Sequence, residues 1–199
     1  MRTGKPLREE HAEITRNAVI AAAKQLFTAR GYEAVLLDEV GAAARVTKGA
    51  IYHHFENKRD LLRTIYEELA ADVERRVRKR IARGTSPPER AELAIEAFLD
   101  CADDDAIRSI MFRDGPSALG GECRTIDGRY YLGLLRELLD EFAAAGMMTG
   151  VDTEMVARLL LGVLIEGSAI LGDPDRSRSA RANLKTALRR MLAGLMLNV

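Results

Sequence analysis

The densest grouping of residues able to do chemistry is Thr47-Lys48-Gly49-Ala50-Ile51-Tyr52-His53-His54-Phe55. Read as a short helix, it opens on a hydroxyl that can cap it. A lysine follows beside the free N–H groups of the first turn, where the helix dipole already favours an anion. Gly49 and Ala50 are small enough to let the backbone approach a surface, and Tyr52 and His53 add donors one turn on. That chemistry suits a helix gripping phosphate while it lies against base edges in a major groove. The bland alternative for Tyr52 and His53 is an exposed aromatic pair with no ligand. Lys58 heads the next helix in a position like that of Lys48, and Arg45 upstream can add a further cation.

Other chemistries find little support. Gly115-Pro116-Ser117-Ala118-Leu119 lacks the final glycine of a nucleophile elbow, and no strand precedes it. There is no phosphate-binding glycine loop and no HExxH. His11, His53 and His54 lie far from Cys101 and Cys123, so no metal site, cofactor or Cys–His pair is expected, and no enzyme. Glu166, alone in an apolar helix, reads as a satisfied buried acid or a partner for a ligand.

The elements that must position the 47–55 helix read as helices throughout. A first helix is expected from about 12 to 29, ended by Arg30-Gly31, and a second over 37–44, with Asp38 and Glu39 in its first turn. Asn57 and Asp60 can cap a long helix whose apolar stripe, from Leu61 to Val77, runs to about residue 83. The basic run 75–80 within it reads as a solvated face. Ser86-Pro87-Pro88-Glu89 starts a new helix, and further helices are expected over 104–113, 122–145, 153–172 and 177–197, with loops at 115–121 and 146–150. The fold class is therefore all-α, about nine helices. Residues 1–56 would form a helix-turn-helix domain with a flexible arm at 1–11. Residues 57–199 would form a helical domain reached through a connecting helix at 57–83.

The bulk numbers agree. A hydrophobic content of 47% with 30% charge excludes a disordered chain. Residues 1–83 carry 17 Lys and Arg against 12 Asp and Glu, and residues 84–199 carry 13 against 18, so the net charge of zero hides a basic N-terminal part. The start MRTGKPLREEHAEITR lacks the apolar stretch of a secretory signal, and no apolar run reaches the roughly 20 residues that span a bilayer. A cytoplasmic protein with no membrane partner is expected.

The segment VTKGAIYHHFENKRDLL, with RGYEA upstream, resembles the N-terminal domain of the TetR family of bacterial transcriptional regulators. The resemblance is close over residues 12–65 and general beyond them. It implies that Thr47, Tyr52 and His53 contact phosphate, that Lys48 reaches phosphate or a base edge, and that Gly49 lies against the bases. It also implies a backbone contact from Lys58 and a core position for Phe55. Two departures stand out. Val35-Leu36-Leu37 replaces the usual hydroxyl residue at the start of the second helix, costing roughly 1 kcal/mol of capping. Arg45 replaces the usual turn glycine, at about 1–2 kcal/mol if the residue is left-handed.

The resemblance further implies a helical ligand-binding domain whose occupancy changes the spacing of two DNA-binding heads. A small apolar or amphipathic effector would enter the middle helices and tilt the helix that starts at Lys58. Candidate ligand residues are Phe98, Ile110, Met111, Arg113, Tyr130, Tyr131, Leu134, Leu164 and Glu166, with core packing as the alternative for the apolar ones and a local ion pair for Arg113. The last two helices carry more apolar residues than one interior stripe needs. A homodimer face is expected from Leu160, Val163, Gly167, Leu184, Leu188, Met191 and Leu195, burial within one monomer being the alternative. The expected function is a dimeric, effector-released repressor of a palindromic double-stranded DNA operator. The rival is a helical adaptor that has lost operator binding.

Overall fold

The structure, a computed structural model, describes residues 7–173 and 177–196. Among them the chain is helical with no strand. Helix α1 (Leu7–Arg30) begins five residues before the expected start, so 7–11 belong to a helix and not to a flexible arm; residues 1–6 lie outside the described part. Glu9 and Glu10 in its first turn are placed to favour that extension through the helix dipole. Val19, Ala23 and Phe27 on α1 close over Val35, Val40 of α2 (Leu37–Ala44), and Ile51 and Phe55 of and after α3 (Lys48–His54).

Helix α4 (Lys58–Ile81) is the spine. Asn57 caps it by accepting from Asp60 N–H at 2.9 Å, and Asp60 accepts in return from Glu56 N–H at 3.2 Å. Its buried stripe runs Leu61, Leu62, Ile65, Tyr66, Leu69, Ala70, Val73, Val77 and Ile81. That stripe belongs to a single apolar cluster reaching from Val19 in the first helix to Leu171 near the chain's end. The arginines of the basic run pair within the fold: Arg75 and Arg76 with Asp72, Arg78 with Glu74 and Glu137, and Arg80 with Asp100, while Lys79 is exposed.

Around the spine stand α5 (Pro87–Cys101), α7 (Gly121–Ala144), α8 (Thr153–Gly172) and α9 (Ser177–Met196). The last of these lies antiparallel to α5 along a ladder of ions. Arg181 pairs with Asp100 and Asp103, Lys185 with Glu96, and Arg189 with Glu92. Each such exposed pair is worth little, but three at four-residue spacing fix the register. A smaller apolar cluster of Leu139, Phe142, Met148, Val156 and Ala157 closes the far end. Helix α8 is long and apolar enough by composition to cross a membrane, contrary to the expectation that no apolar run is; here it packs against α7 and α9.

The expected helix at 104–113 and loop at 115–121 form one helical stretch instead: a π-helical segment, π1 (Ile107–Asp114), running into α6 (Gly115–Leu119). Pro116 explains the wider turn. An α-helical proline ring collides with the carbonyl four residues back, and letting Gly115 N–H donate to Ile110 five residues back opens room before it. Gly115 is also where the segment touches the spine, since a Cβ there would stand 2.7 Å from the Tyr66 ring and 2.8 Å from the Ile110 carbonyl.

Gly115→Ala should therefore destabilise the fold. Better helix propensity contributes about 1 kcal/mol, but overpacking against a backbone carbonyl costs about 1–3 kcal/mol. The net loss in urea unfolding is expected to reach up to about 2 kcal/mol, and a midpoint above that of the native protein would contradict this packing.

Candidate nucleic-acid interface and interior cavities

The head presents α3 at its surface. Thr47 caps it, its hydroxyl accepting from Ala50 N–H at 3.2 Å. Lys48, Gly49, Tyr52 and His53 are exposed, Tyr52 by 51%, while Ile51 and Phe55 anchor the opposite side. Arg45 is left-handed, with φ 57°, and exposed. The turn closes because Gly41 leaves room for it: Val46 N–H donates to the Gly41 carbonyl at 2.9 Å, and a Cβ on Gly41 would meet the Val46 carbonyl at 3.0 Å.

The missing hydroxyl at the start of α2 is partly replaced. Glu39 accepts from Leu36 N–H at 2.8 Å, half of a capping box. Its other oxygen takes Arg30 at 2.6 Å, whose second nitrogen donates to the Ala34 carbonyl. Arg30 holds the Glu39 carboxyl below its usual pKa range, helped by the Leu36 N–H.

Two of the expected DNA cations are engaged elsewhere. Lys48 pairs with Asp38 at 2.9 Å across the two short helices, in an exposed position where phosphate can compete. Lys58 does not point outward as expected. Its ammonium lies 4.1 Å from the Tyr32 ring centroid and donates to the Glu33 carbonyl at 3.3 Å, and burial lowers its pKa. The sequence could not show this, because Tyr32 is brought to it only by the fold of α1 against α4.

The head is tied to the body at π1–α6. Asp114 accepts from Tyr32 N–H at 2.7 Å while its other oxygen takes Arg113 at 2.8 Å. Arg59, at the head of α4, donates to the carbonyls of Ala118 and Leu119, each at 3.1 Å, and pairs with Glu122 at 2.6 Å. Arg113 thus serves a local ion pair and lies outside both cavities described next.

Two cavities lie inside the body. The first, about 120 Å³, is lined from α4, α5, α7, α8 and α9 by residues that include Val77, Phe98, Leu138, Phe142, Leu161, Leu164 and Leu188. The second, about 110 Å³, lies between α4, π1, α6 and α7 against Tyr66, Met111, Phe112, Pro116, Cys123 and Arg124. A single water needs about 10–15 Å³ on this measure, so each admits something much larger. Val73, Phe98, Asp127, Tyr131 and Ile165 line both and form the waist between them.

Of the expected ligand residues, the structure gathers Phe98, Met111, Tyr131, Leu134 and Leu164 at these cavities. Ile110 is core, Tyr130 packs against the core away from them, and Glu166 is exposed, not buried. Sequence reading missed Asp127, which is 6% exposed at the waist. Its signal was weak: an acid one turn below Tyr130-Tyr131 in a mixed helix. Both its oxygens lie 3.1 Å from the Tyr66 hydroxyl. Burial pushes its pKa up to about 7, with the Tyr66 hydrogen bond opposing, and burial likewise raises Tyr66, Tyr131 and Cys123.

The expected dimer residues divide. Leu160 and Leu188 line the first cavity, Leu195 packs on the far cluster, and Gly167 is filled by Leu184, a Cβ there meeting that side chain at 2.8 Å. These five make contacts within the monomer, with Leu160, Leu184 and Leu195 still part-exposed. Val163 is half-buried and Met191 exposed, alongside the exposed Met155, Leu159 (64%) and Ile170, which belong to the same surplus of apolar residues on the last two helices. Two apolar faces on α8 cannot be told apart by periodicity.

Comparison with known proteins gives two family matches. Residues 19–65 match the family described as bacterial regulatory proteins, tetR family, and residues 88–195 match the tetracyclin repressor-like C-terminal domain. The transposon Tn10 TetC protein of Escherichia coli is 28% identical over 77% of this chain and 78% of its own. A TetR-family transcriptional regulator from Pectobacterium atrosepticum superposes with TM-score 0.86, covering 98% of this chain and 99% of that one at 27% identity. FadR from Bacillus subtilis, solved with stearoyl-CoA, shares the fold at TM-score 0.72 and 22% identity, over 91% and 99% of the two chains.

The Asp127 carboxyl binds its proton more tightly folded than unfolded, since about 7 lies above the usual 3.8. Its contribution is complete below about pH 4 and is lost as pH rises to about 7. Relative to the native protein, Asp127→Asn should gain stability on the order of 4 kcal/mol between those limits. Urea unfolding of both proteins at pH 4 and pH 8 measures the difference, and parallel pH dependence would contradict it.

Proposed function

The chain belongs to the tetR family of bacterial regulatory proteins, and from that premise we propose that it is a cytoplasmic repressor. It holds a palindromic operator as a homodimer and lets go when an apolar effector fills the body. Members of this family are DNA-binding regulators that act as dimers. On our reading α3 of each subunit enters a major groove. Thr47, Tyr52 and His53 meet phosphate, Lys48 exchanges Asp38 for phosphate or a base edge, and Gly49 and Ala50 lie against the bases. Arg45 adds a phosphate contact, and Lys58 braces the head against Tyr32. The two subunits meet across the exposed Met155, Leu159 and Ile170 and the half-buried Val163 of α8, with Met191 of α9.

One observation carries the release step. The second cavity is walled by π1 and α6, and the same segments hold the head through Asp114–Tyr32 and Arg59–Ala118, Leu119 and Glu122. A molecule occupying the cavities displaces that wall, and the head turns with it. Release then reflects different effector affinities for two head positions.

Selection of bound sequences from random DNA by the purified protein should return a palindrome, with retardation that weakens as salt rises. Failure to retard any sequence would favour the adaptor reading. Tyr52→Ala should weaken operator binding about tenfold or more, the loss expected for a charge-assisted phosphate bond. Arg45→Gly should lower the salt slope of operator binding by about 0.9, one phosphate contact. Fluorescence anisotropy titrations at several salt concentrations measure both, and an unchanged slope for Arg45→Gly removes that residue from the interface.

A further inference from the structure

We propose that Asp127 selects an effector made of an apolar body and a cationic amine head, seated at the waist between the two cavities. This rests on the reading of those cavities as the effector site. The walls around Asp127 are apolar: Val73, Phe98, Ile165 and the Tyr131 ring line both chambers with it. Into them it carries a carboxyl with about four lone-pair sites. Among the described residues the Tyr66 hydroxyl is the donor that reaches it, and that hydroxyl has one hydrogen for two oxygens, each 3.1 Å away. Tyr131 spends its own hydroxyl on the Ala70 carbonyl at 3.3 Å, and the Cys123 thiol lies against Tyr66. Among the described residues Arg124 is the cation lining the second cavity; it is exposed, and it does not lower the Asp127 pKa.

Buried carboxyls are ordinarily hydrogen-bonded to capacity or matched by a positive charge. Among the described residues no group matches it, and the space for one opens into the apolar chambers. A ligand ammonium at the waist supplies both the charge and the missing donors while its hydrocarbon fills the first chamber. A ligand carboxylate at the same place sets two anions together, and an alcohol satisfies the hydrogen bond without the charge.

Three probes of equal chain length separate these cases: decylamine, decanol and decanoate, each displacing Nile red from the full-length protein and each tested for release of the selected operator. The amine should displace the dye at about tenfold lower concentration than the alcohol, the worth of one buried charge-assisted bond, with decanoate weakest. Asp127→Asn should bring the amine to the level of the alcohol and leave decanol within about threefold, which also shows that the variant folds. Asp127→Glu should keep the amine preference. Equal binding of all three probes, or an amine preference that survives Asp127→Asn, overturns the assignment while leaving the cavity as effector site. Tightest binding of decanoate overturns it in favour of Arg124 as anchor. If none of the three displaces dye or releases operator, the effector-site reading itself fails and the assignment goes with it.

Discussion

Helix α4 buries one stripe from Leu61 to Ile81, and that stripe belongs at its first turns to the core of the DNA-binding head and at its later turns to the core of the body. Close-packed interiors deform little and transmit displacement. A head sharing an uninterrupted apolar cluster with the body is thus geared to it, not hung from it. The polar ties at π1–α6 sharpen the gearing. Asp114 and Arg59 hold the head on two sides of the same segment, and Gly115 brings that segment against Tyr66 of the spine.

The spine also sets what the interior can contain. Tyr66 reaches from α4 to Asp127 on α7, at a point where the chain leaves space on either side. A carboxyl with a single donor in such surroundings costs stability whenever it is charged. Native folds tolerate costs of that kind mostly at functional sites, where strain and unmet polar capacity have a use. The neighbouring cysteines need no such account, since burial pushes both thiols up to about 11 and leaves them inert at neutral pH.

The head shows how a family pattern survives local departures. The hydroxyl cap absent at Leu36 is half replaced by Glu39, held in turn by Arg30. The turn at Arg45 keeps the left-handed conformation that a glycine would adopt more cheaply, with Gly41 providing the clearance. Both compensations use residues within fifteen positions of the departure, and both keep α3 where its exposed side is free of the body.

Sequence alone determined the elements and their broad roles. Periodicity marked α4, α5, α7, α8 and α9, and cap residues at Thr47, Asn57 and Ser86 marked three starts, because helix formation and capping depend on residues three or four apart. Contacts between distant residues were another matter. Which face of α8 looks inward, that Lys58 turns to Tyr32, that Glu166 is exposed, and that Asp127 meets Tyr66 between two cavities were decided only when the helices packed. A helix with two apolar faces, or an acid in a mixed helix, carries no local mark of its partner. The partner is chosen by crossing angles and by the register of ladders such as Arg181, Lys185 and Arg189 on Asp100, Glu96 and Glu92, which are properties of the assembled bundle.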